Sequence, residues 1–510
     1  MDRTYPELVW RQTTPGVWQR TADEVEKFYS ALATLYEGSG LMFFAITGHI
    51  SLHADVRDVG HGVEAEAIFD KALESAWLAL RFDHPTIASQ VTQDPATGRW
   101  TKTYRQCVDL EEQNFWLEKT LVHVSTGETG QEWANNQPPA PKIPTLFVLS
   151  PPSHKDGVIR RDLVFRSPHD IIDGVGTLIL LSNLITYVSK AFPERGAYKP
   201  PALDGSEAAN LSPPYRVAAG VPVTLAGDQE KRLADMTAQK AAAMNATDAQ
   251  VIDMPYRRGA SLPGRHQRVA RTLTREQTAL LTAACKAAGA TVTHVFHAAI
   301  ALVLRDVQER GSEPKRVRYV NYILRNERAS CRAPYDSHRH PAALYHSVSG
   351  QSLVVDMDLP AAAAAGDQDS DGEFLRVVQV TKDFYHGVRN DGEHYALAPA
   401  ILAAAVPDVP ASPRPPPVPP PKAHPSVSIS SMGRVDDIIA PGTGAIEARD
   451  PWVTGEELGN GLGLFLGTFR GELCLSAAYN DAWHTAPDVL DFLKRCEDVV
   501  FGGLDLQAAR

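Results

Sequence analysis

The stretch LVFRSPHDIIDGVGTLILLSNLI, residues 163–185, joins a strand-like run to a long apolar run through a short polar turn. The residues from Gly157 to His169 have the composition of a β-strand. The apolar run from Val175 to Phe192 predicts a buried helix. His169 and Asp173 therefore lie, in the pattern His-x-x-x-Asp-Gly, on a strand-to-helix turn, where a rigid scaffold commonly holds catalytic groups.

The three named residues of this motif suit proton transfer. His169 can take a proton near neutral pH from a hydroxyl or amine that attacks an activated carbonyl. We expect Asp173 to point away from the substrate and pair with an arginine, and Gly174 to let the backbone turn sharply into the helix. Because the pattern holds no serine or cysteine nucleophile, it favours direct transfer in a ternary complex, without an acyl-enzyme. The motif alone leaves a second interpretation open, in which His169 is a hydrogen-bonded structural residue.

The composition is that of a folded protein with more than one domain. The chain has 510 residues, 44% of them hydrophobic and 22% charged. A net charge of −11 disfavours nucleic acid and anionic membrane surfaces as partners. The five cysteines form no CxxC pair, which predicts free thiols rather than a disulfide framework or a zinc site. With no signal peptide and no apolar run of roughly 18 residues, we expect a cytoplasmic protein.

Strands and helices mix in both halves of the chain, which predicts an α/β fold with two sandwich domains. We place the N-terminal domain at residues 1–210, a crossover linker at 211–265 and the C-terminal domain at 266–510. A proline-rich insertion at 406–425 interrupts the C-terminal domain and is expected to act as a semi-rigid connector, or alternatively as a ligand for SH3 or WW domains.

Several further patterns predict individual elements. Thr21 and Glu24 suit a capping box at the start of the first helix. The segment VEAEAIFDKALESAWLALR predicts an amphipathic helix with four large apolar residues on one stripe: Phe69, Leu73, Trp77 and Leu80. Near the C-terminus, GLGLFLGTFRGELCLSAAYN predicts a hairpin that turns near Gly471, followed by a final helix.

The quoted stretch resembles the active-site turn of the CoA-dependent acyltransferase superfamily, which includes peptide-synthetase condensation domains, plant-type BAHD acyltransferases and fungal alcohol acetyltransferases. Four other segments resemble landmarks of that superfamily in its order: 72–89, 289–304, 426–437 and 473–500. The opening segments TPGVWQRTADEVEKFYSALATLYEGSG and FFAITGHISL resemble fungal trichothecene 15-O-acetyltransferases and their secondary-metabolite relatives.

The resemblance implies two chloramphenicol-acetyltransferase-like α/β domains with a tunnel between them. Acyl-CoA would enter from one face and the acceptor from the other, with His169 as the general base. Asp173 would be structural and paired with an arginine from the second domain, for which Arg325 is the first candidate and Arg328 the second. Relatives often carry two histidines, HHxxxDG, whereas this chain has Pro168 at the first position. The DFGWG signature of the plant branch is absent.

Other polar residues are weaker candidates. His297 either lines the tunnel and contacts substrate or is a packing histidine, and together with His294 it lacks a third ligand for a metal site. Ser430, with Ser428 and Ser431, could donate a hydrogen bond to a tetrahedral oxyanion, or be an ordinary strand serine. Three histidines on a loop-like stretch are expected to be solvated: His338, His340 and His346.

The resemblance implies an acetyl-CoA-dependent O-acyltransferase that esterifies a hydroxyl of a small secondary metabolite, a trichothecene-like terpenoid being the leading class. We expect acetyl-CoA as a co-substrate, no permanently bound cofactor, no metal and a monomer. Two alternatives stay open. One is a condensation-type enzyme that forms an amide or ester from a peptidyl or polyketide donor, free or carrier-bound. The other is a non-enzymatic binding module.

Overall fold

The computed structural model describes residues 5–37, 42, 44–59, 62–136, 138–153, 156–257, 264–364, 370–409 and 425–506. The strands are β1 Arg11–Thr14, β2 Val17–Thr21, β3 Ile46–Asp55, β4 Ser89–Gln93, β5 Trp100–Arg105, β6 Leu121–Val124, β7 Thr145–Leu149, β8 Val158–Ser167, β9 Gln250–Val251, β10 His266–Thr272, β11 Lys315–Asn321, β12 Leu324–Asn326, β13 His346–Val348, β14 Leu353–Leu359, β15 Val427–Arg434, β16 Gly442–Thr443, β17 Ile446–Gly455, β18 Leu462–Phe469 and β19 Glu472–Asn480. The helices are α1 Glu24–Leu35, α2 Gly62–Asp83, α3 Leu110–Thr120, α4 Gly130–Ala134, α5 Gly174–Ala191, α6 Tyr215–Ala219, α7 Gly227–Asn245, α8 Arg275–Ala287, α9 Val292–Asp306, α10 Ser370–Arg389, α11 His394–Ala403 and α12 Ala486–Gly503.

The N-terminal half is built on a six-stranded sheet of order β16-β17-β3-β8-β7-β6. Strand β8 pairs antiparallel with β3, from Val158 opposite Asp55 to Ser167 opposite Ile46. Helices α2 and α5 pack against each other and share one hydrophobic core with this sheet. All four residues of the predicted stripe on α2 are buried in that core.

The C-terminal half is built on a four-stranded sheet of order β10-β19-β18-β15. Its core includes residues of α8, α9, α10 and α12. The predicted hairpin is present as β18 and β19, and Gly471 at its turn has a φ of 77°. In each half, helices and a sheet share one core, which confirms the predicted α/β class with two sandwich domains.

The chain does not divide cleanly into consecutive domains. Strand β17 pairs along its length with β3, and β16 pairs with β17, so residues 442–455 complete the N-terminal sheet. Ala448 and Val453 of β17 are buried in the N-terminal core, because a strand inside a sheet packs its side chains with the sheet it joins. The boundaries 1–210, 211–265 and 266–510 stay a prediction. Residues 442–455 do not follow it, because they belong to the predicted C-terminal domain but join the N-terminal sheet.

The first helix is capped differently from the prediction. Thr21 is still in strand β2, opposite Thr101 of β5, so the helix cannot begin there. Asp23 is the N-cap residue, and its carboxylate accepts from the Glu26 N–H at 3.0 Å while Glu26 accepts from the Asp23 N–H at 3.1 Å. The capping box therefore lies two residues further along the chain than expected.

Two other segments bear on the predictions. Residues Gly174–Glu194 are apolar and long enough to cross a membrane by composition, but 61% of the most apolar window is buried inside the fold, as in a core helix. Of the proline-rich insertion, residues 410–424 lie outside the described part of the chain. Val406 and Val409, just before them, pack against Ala22, Ala31 and Trp100.

Candidate active site

The predicted turn lies between the end of β8 and the start of α5. Ser30 of α1 donates to the Asp170 carboxylate at 2.7 Å, and Lys102 of β5 donates to the Asp170 backbone carbonyl at 2.8 Å. Asp173 is the N-cap residue of α5 and accepts from the Gly176 N–H at 2.6 Å. Two residues that follow His169 are thus held in place, Asp170 by α1 and β5 and Asp173 by the first turn of α5.

Asp173 is buried, and its carboxylate is surrounded by donors. Arg328 Nη1 lies 3.0 Å from Asp173 Oδ2, and the Tyr345 N–H donates to the same oxygen at 2.9 Å. Burial alone would raise the pKa of Asp173, but Arg328 and then His346 hold it well below its ordinary value. The carboxylate is therefore ionised and ties the start of α5 to the segment around Arg328.

The partner of Asp173 is the second candidate and not the first. Arg325 lies on β12, and its guanidinium donates instead to Glu327 at 2.8 Å and to the Val388 carbonyl. Arg328 lies in the 3₁₀ turn that follows β12. That turn, and not the strand, carries its side chain to the N-terminus of α5, so the prediction of Arg325 was wrong by three residues.

The turn needs a glycine at Gly176 rather than at Gly174. Gly174 is the first residue of α5, and a Cβ there would make only ordinary contacts, the nearest at 3.7 Å to Val453. A Cβ at Gly176 would lie 2.2 Å from the Pro341 carbonyl oxygen and 2.9 Å from Arg328 Nη2. Close approach of the backbone, and not a sharp turn, is the reason for a glycine in this motif.

His169 lies beneath an aromatic ring and is only partly exposed. Its imidazole stacks on Tyr29 of α1, with ring centroids 3.7 Å apart and planes inclined by 13°. Within the described residues, His169 Nδ1 is buried and has no hydrogen-bond partner. Burial, and then the neighbouring His346, lowers the pKa of His169 to about 3. The ring is therefore neutral at physiological pH, which is the form that accepts a proton.

The sequence analysis missed His346, which was expected to be solvated. His346 lies on β13, its Nε2 is 2.8 Å from the Tyr29 hydroxyl oxygen, and its ring centroid is 5.4 Å from that of His169. His340 is also buried, with Nδ1 3.2 Å from Ser212 Oγ, whereas His338 is exposed as expected. No local pattern signals His346, because a distant strand brings it to the site.

His297 and Ser430 do not join His169. His297 is fully buried in the C-terminal core, with Nδ1 3.1 Å from the Tyr385 hydroxyl and Nε2 2.9 Å from the Tyr319 hydroxyl. It therefore fits the packing alternative, and its predicted place in a substrate tunnel is corrected. Ser430 is half-buried on β15 opposite Phe465 of β18.

Two adjoining cavities lie beside strand β18, and the smaller of them reaches α5 at Leu178. The larger, about 1220 Å³, is called here the cationic cavity because four basic residues and one acidic residue, Asp436, line it; the basic residues are Arg275, Lys286, Arg434 and Arg470. The smaller, about 430 Å³, is called the inner cavity, and it shares Arg275 and Arg470 with the larger.

Met432 and Val453 line the inner cavity, and a Cβ on Gly174 would lie within 3.9 Å of both. The inner cavity thus reaches the N-terminus of α5. His169 lines neither of these two cavities, so a continuous tunnel to it stays a prediction. In the described part of the chain, no cluster of three or more His, Cys, Asp or Glu residues is placed to hold a metal ion.

Comparison with known proteins shows similarity along nearly the whole chain, although no protein-family model matches it. The acetyltransferase pigO of Monascus ruber is 24% identical over 496 residues, which cover 96% of this chain and 97% of the relative. The O-acetyltransferase pigM of the same organism is 25% identical over 503 residues, which cover 96% of this chain and 86% of the relative.

Solved structures show the same fold. The TRI3 trichothecene 15-O-acetyltransferase from Fusarium sporotrichioides superposes with a TM-score of 0.75 at 19% identity, covering 96% of this chain and 97% of that one. The first condensation domain of the calcium-dependent antibiotic synthetase superposes with a TM-score of 0.57 at 15% identity, over 96% and 97% of the two chains. Over nearly its full length, the chain therefore has the fold of condensation-domain-like acyltransferases, with TRI3 among its structural neighbours, and it is similar in sequence to fungal acetyltransferases.

Proposed function

We propose that this protein transfers an acetyl group from acetyl-CoA to a hydroxyl of a small secondary metabolite, with His169 as the general base. The observation that carries the proposal is the His169 imidazole, which is held neutral on a turn braced by the buried pair of Asp173 and Arg328. The similarity to fungal acetyltransferases supports acetyl as the group and a secondary metabolite, terpenoid-like, as the acceptor. We further propose a cytoplasmic monomer with no permanently bound cofactor.

The reaction proceeds through one tetrahedral intermediate. Because His169 Nδ1 is buried, Nε2 is the nitrogen that removes the proton from the acceptor hydroxyl. The acceptor oxygen attacks the thioester carbonyl carbon, and the carbonyl oxygen takes the negative charge. When the intermediate collapses, the C–S bond breaks, and the thiolate of CoA takes the proton from His169. The products are the acetyl ester and free CoA, and His169 returns to its neutral form.

The cationic cavity supports CoA as the donor. Its basic side chains can neutralise the phosphates of CoA, while the inner cavity leads from it towards the N-terminus of α5. All three arginines also pair with carboxylates: Arg470 Nη1 lies 2.6 Å from Glu447, Arg275 Nε lies 3.6 Å from Glu472, and Arg434 Nη2 lies 3.7 Å from Asp437. These pairs orient the guanidinium groups, and Lys286 adds a further positive charge.

The first experiment is a mass-spectrometric assay of the purified protein with acetyl-CoA and a panel of hydroxylated fungal metabolites. We expect one acetyl group to be added to an acceptor, and His169→Ala to lower the rate by about 10²- to 10⁴-fold. The exposed His338→Ala is the matched control and should act as the wild type. Equal rates for both variants would contradict His169 as the base. Transfer from a carrier-bound donor but not from acetyl-CoA would favour the condensation-type alternative.

A separate charge reversal tests the donor site. Lys286→Glu should raise the KM for acetyl-CoA by about tenfold while leaving kcat unchanged, because it removes attraction for the phosphates without touching the reacting atoms. Lys240→Glu, on the exposed face of α7, is the control for a change of net charge. An unchanged KM for acetyl-CoA in Lys286→Glu would exclude the cationic cavity as the site of the phosphates.

A further inference from the structure

A tyrosine and a second histidine lie next to His169, and the proposed reaction uses neither of them. Tyr29 covers one face of the imidazole, and His346 contacts the Tyr29 hydroxyl. We propose that Tyr29 and His346 are positioning residues for His169: Tyr29 clamps the imidazole plane, and His346 holds Tyr29 in place through its hydroxyl. The inference rests on the proposed function of His169 as the base.

The clamp follows from the geometry of the two rings. With centroids 3.7 Å apart and planes 13° from parallel, the Tyr29 ring lies flat on the imidazole. Rotation of the imidazole about its Cβ–Cγ bond would drive its edge into the tyrosine ring. Within the described residues, the buried Nδ1 makes no hydrogen bond of normal geometry, although the backbone of His169 itself and of Ile172 lies close to the ring. The stacked tyrosine ring therefore restrains a rotation that no well-formed hydrogen bond to Nδ1 restrains.

His346 links this clamp to Asp173. Its Nδ1 is buried and lies 3.9 Å from Asp173 Oδ2, which is beyond hydrogen-bond distance, and within the described residues it has no hydrogen-bond partner. The attraction of the ionised carboxylate favours the tautomer with a proton on this Nδ1. His346 Nε2 is then an acceptor, and the Tyr29 hydroxyl donates to it at 2.8 Å. The same aspartate thus braces the turn through Arg328 and orients the clamp through His346.

The charged and titratable groups around His169 come from several elements. They are Tyr29 of α1, His346 of β13, Asp173 at the start of α5, Arg328, which is bound to Asp173, and Tyr322, which acts electrostatically on Tyr29. Asp173 favours the protonated imidazole, whereas the cover of Tyr29 and the proximity of His346 oppose it. Removal of Tyr29 or His346 should therefore make His169 easier to protonate.

The kinetic test uses graded substitutions. Tyr29→Leu should lower kcat by roughly 10- to 100-fold, because the unclamped imidazole no longer points its nitrogen at the acceptor. Tyr29→Phe keeps the ring and should lower kcat by only about two- to tenfold. His346→Gln should retain more activity than His346→Ala, because the glutamine carbonyl can accept from the Tyr29 hydroxyl. Leu35→Ala, at the C-terminal end of the same helix, is the matched control.

The pH profile separates positioning from a merely structural role. Protonation of His169 should not change the wild-type kcat/KM between pH 8 and 5.5. In Tyr29→Leu and His346→Ala, the fall of kcat/KM on the acid side of the profile should begin at a higher pH, so that kcat/KM at pH 5.5 is up to about tenfold lower than at pH 8. Unchanged kcat and an unmoved limb in both variants, with Tyr29→Phe folded as the wild type, would overturn the proposal.

A direct titration keeps this test independent of the proposed reaction. NMR of the full chain with ¹³C-labelled histidine gives the titration midpoint of His169, whose signal is the one lost in His169→Ala. We expect the midpoint to rise in Tyr29→Leu and in His346→Ala and to keep its wild-type value in Leu35→Ala. If His169→Ala retains acetyl transfer, the proposed function fails, while the midpoints still decide the clamp. Equal midpoints in all variants contradict the clamp, whatever the reaction is.

Discussion

His169 and His297 are two buried histidines in different halves of the molecule, and burial lowers the pKa of each to about 3. Both lie beside tyrosines, but in different ways. His297 meets Tyr319 and Tyr385 edge-on, at 89° and 86°, and both of its nitrogens contact their hydroxyls. His169 lies flat against Tyr29 and leaves Nδ1 without a partner in the described region.

The difference shows that a shifted pKa does not by itself identify a catalytic residue. Desolvation acts on any buried imidazole, whereas proton transfer also requires a nitrogen that is not already engaged. His297 has neither a free nitrogen nor any exposed surface, and its contacts stabilise the core. His169 keeps partial exposure at the edge of a turn that α1 and β5 hold through hydrogen bonds to Asp170.

The largest expected effect separates the two histidines by activity. His169→Ala should lower kcat by about 10²- to 10⁴-fold and leave the free energy of unfolding nearly unchanged, because the base is lost from a site with few side-chain hydrogen bonds. Steady-state kinetics together with urea unfolding measure both quantities. A large loss of stability in His169→Ala would place this residue with His297 as a structural histidine.

The support of the His169 turn is the next test. Asp173→Asn should lower the free energy of unfolding by about 3 to 5 kcal/mol, because it leaves Arg328 buried without its charged partner. A double-mutant cycle measured by urea unfolding should show coupling between Asp173 and Arg328 and little between Asp173 and Arg325. Coupling to Arg325 instead would contradict the pairing described above.

His297 should show the reverse of His169. His297→Ala should lower the free energy of unfolding by about 2 to 4 kcal/mol, because the buried Tyr319 hydroxyl and the half-buried Tyr385 hydroxyl lose their shared partner. The kcat per folded molecule should stay at the wild-type value. A fall in kcat as large as that of His169→Ala, with stability retained, would restore His297 to the site.

Two glycines of the motif give a smaller contrast. Gly176→Ala should lower the free energy of unfolding by about 1 to 3 kcal/mol, because the new methyl group meets the Pro341 carbonyl oxygen at 2.2 Å. Gly174→Ala should be neutral or stabilise by less than about 1 kcal/mol, since alanine favours a helix more than glycine does and its Cβ would make only ordinary van der Waals contacts. Thermal unfolding of the two variants measures the difference, and equal melting temperatures would contradict it.

The smallest expected effect is the dependence of stability on pH. The unfolded histidines bind protons near pH 6.5, whereas the folded His169 and His297 bind them near pH 3. Between these values the unfolded chain holds more protons, so stability falls as the pH falls. We expect each histidine to contribute about 1 to 2 kcal/mol of this loss between pH 7.5 and 5. In each alanine variant, the free energy of unfolding measured with urea should fall less as the pH falls. An unchanged dependence of this free energy on pH would contradict the lowered pKa values of the two histidines.

The sequence predicted the elements whose signal is local. Amphipathic spacing predicted α2, a continuous apolar run predicted α5, and the strand composition before His169 predicted β8, because these patterns depend only on the order of neighbouring residues. The position of His169 on a strand-to-helix turn follows from the same patterns. The position of the first capping box was wrong by two residues, because pairing of β2 with β5 extends the strand through Thr21.

The residues that surround His169 could not be predicted in this way. Tyr29 precedes it by 140 residues and His346 follows it by 177, and nothing in their own neighbourhoods marks them as neighbours of the motif. The choice of Arg328 over Arg325 depends on a 3₁₀ turn after β12, and the need for Gly176 depends on the Pro341 carbonyl. Sequence periodicity determines which local structure a segment adopts and which face it buries. The contacts between segments far apart in the chain exist only once both halves have packed, so the tertiary structure alone decided what surrounds the base.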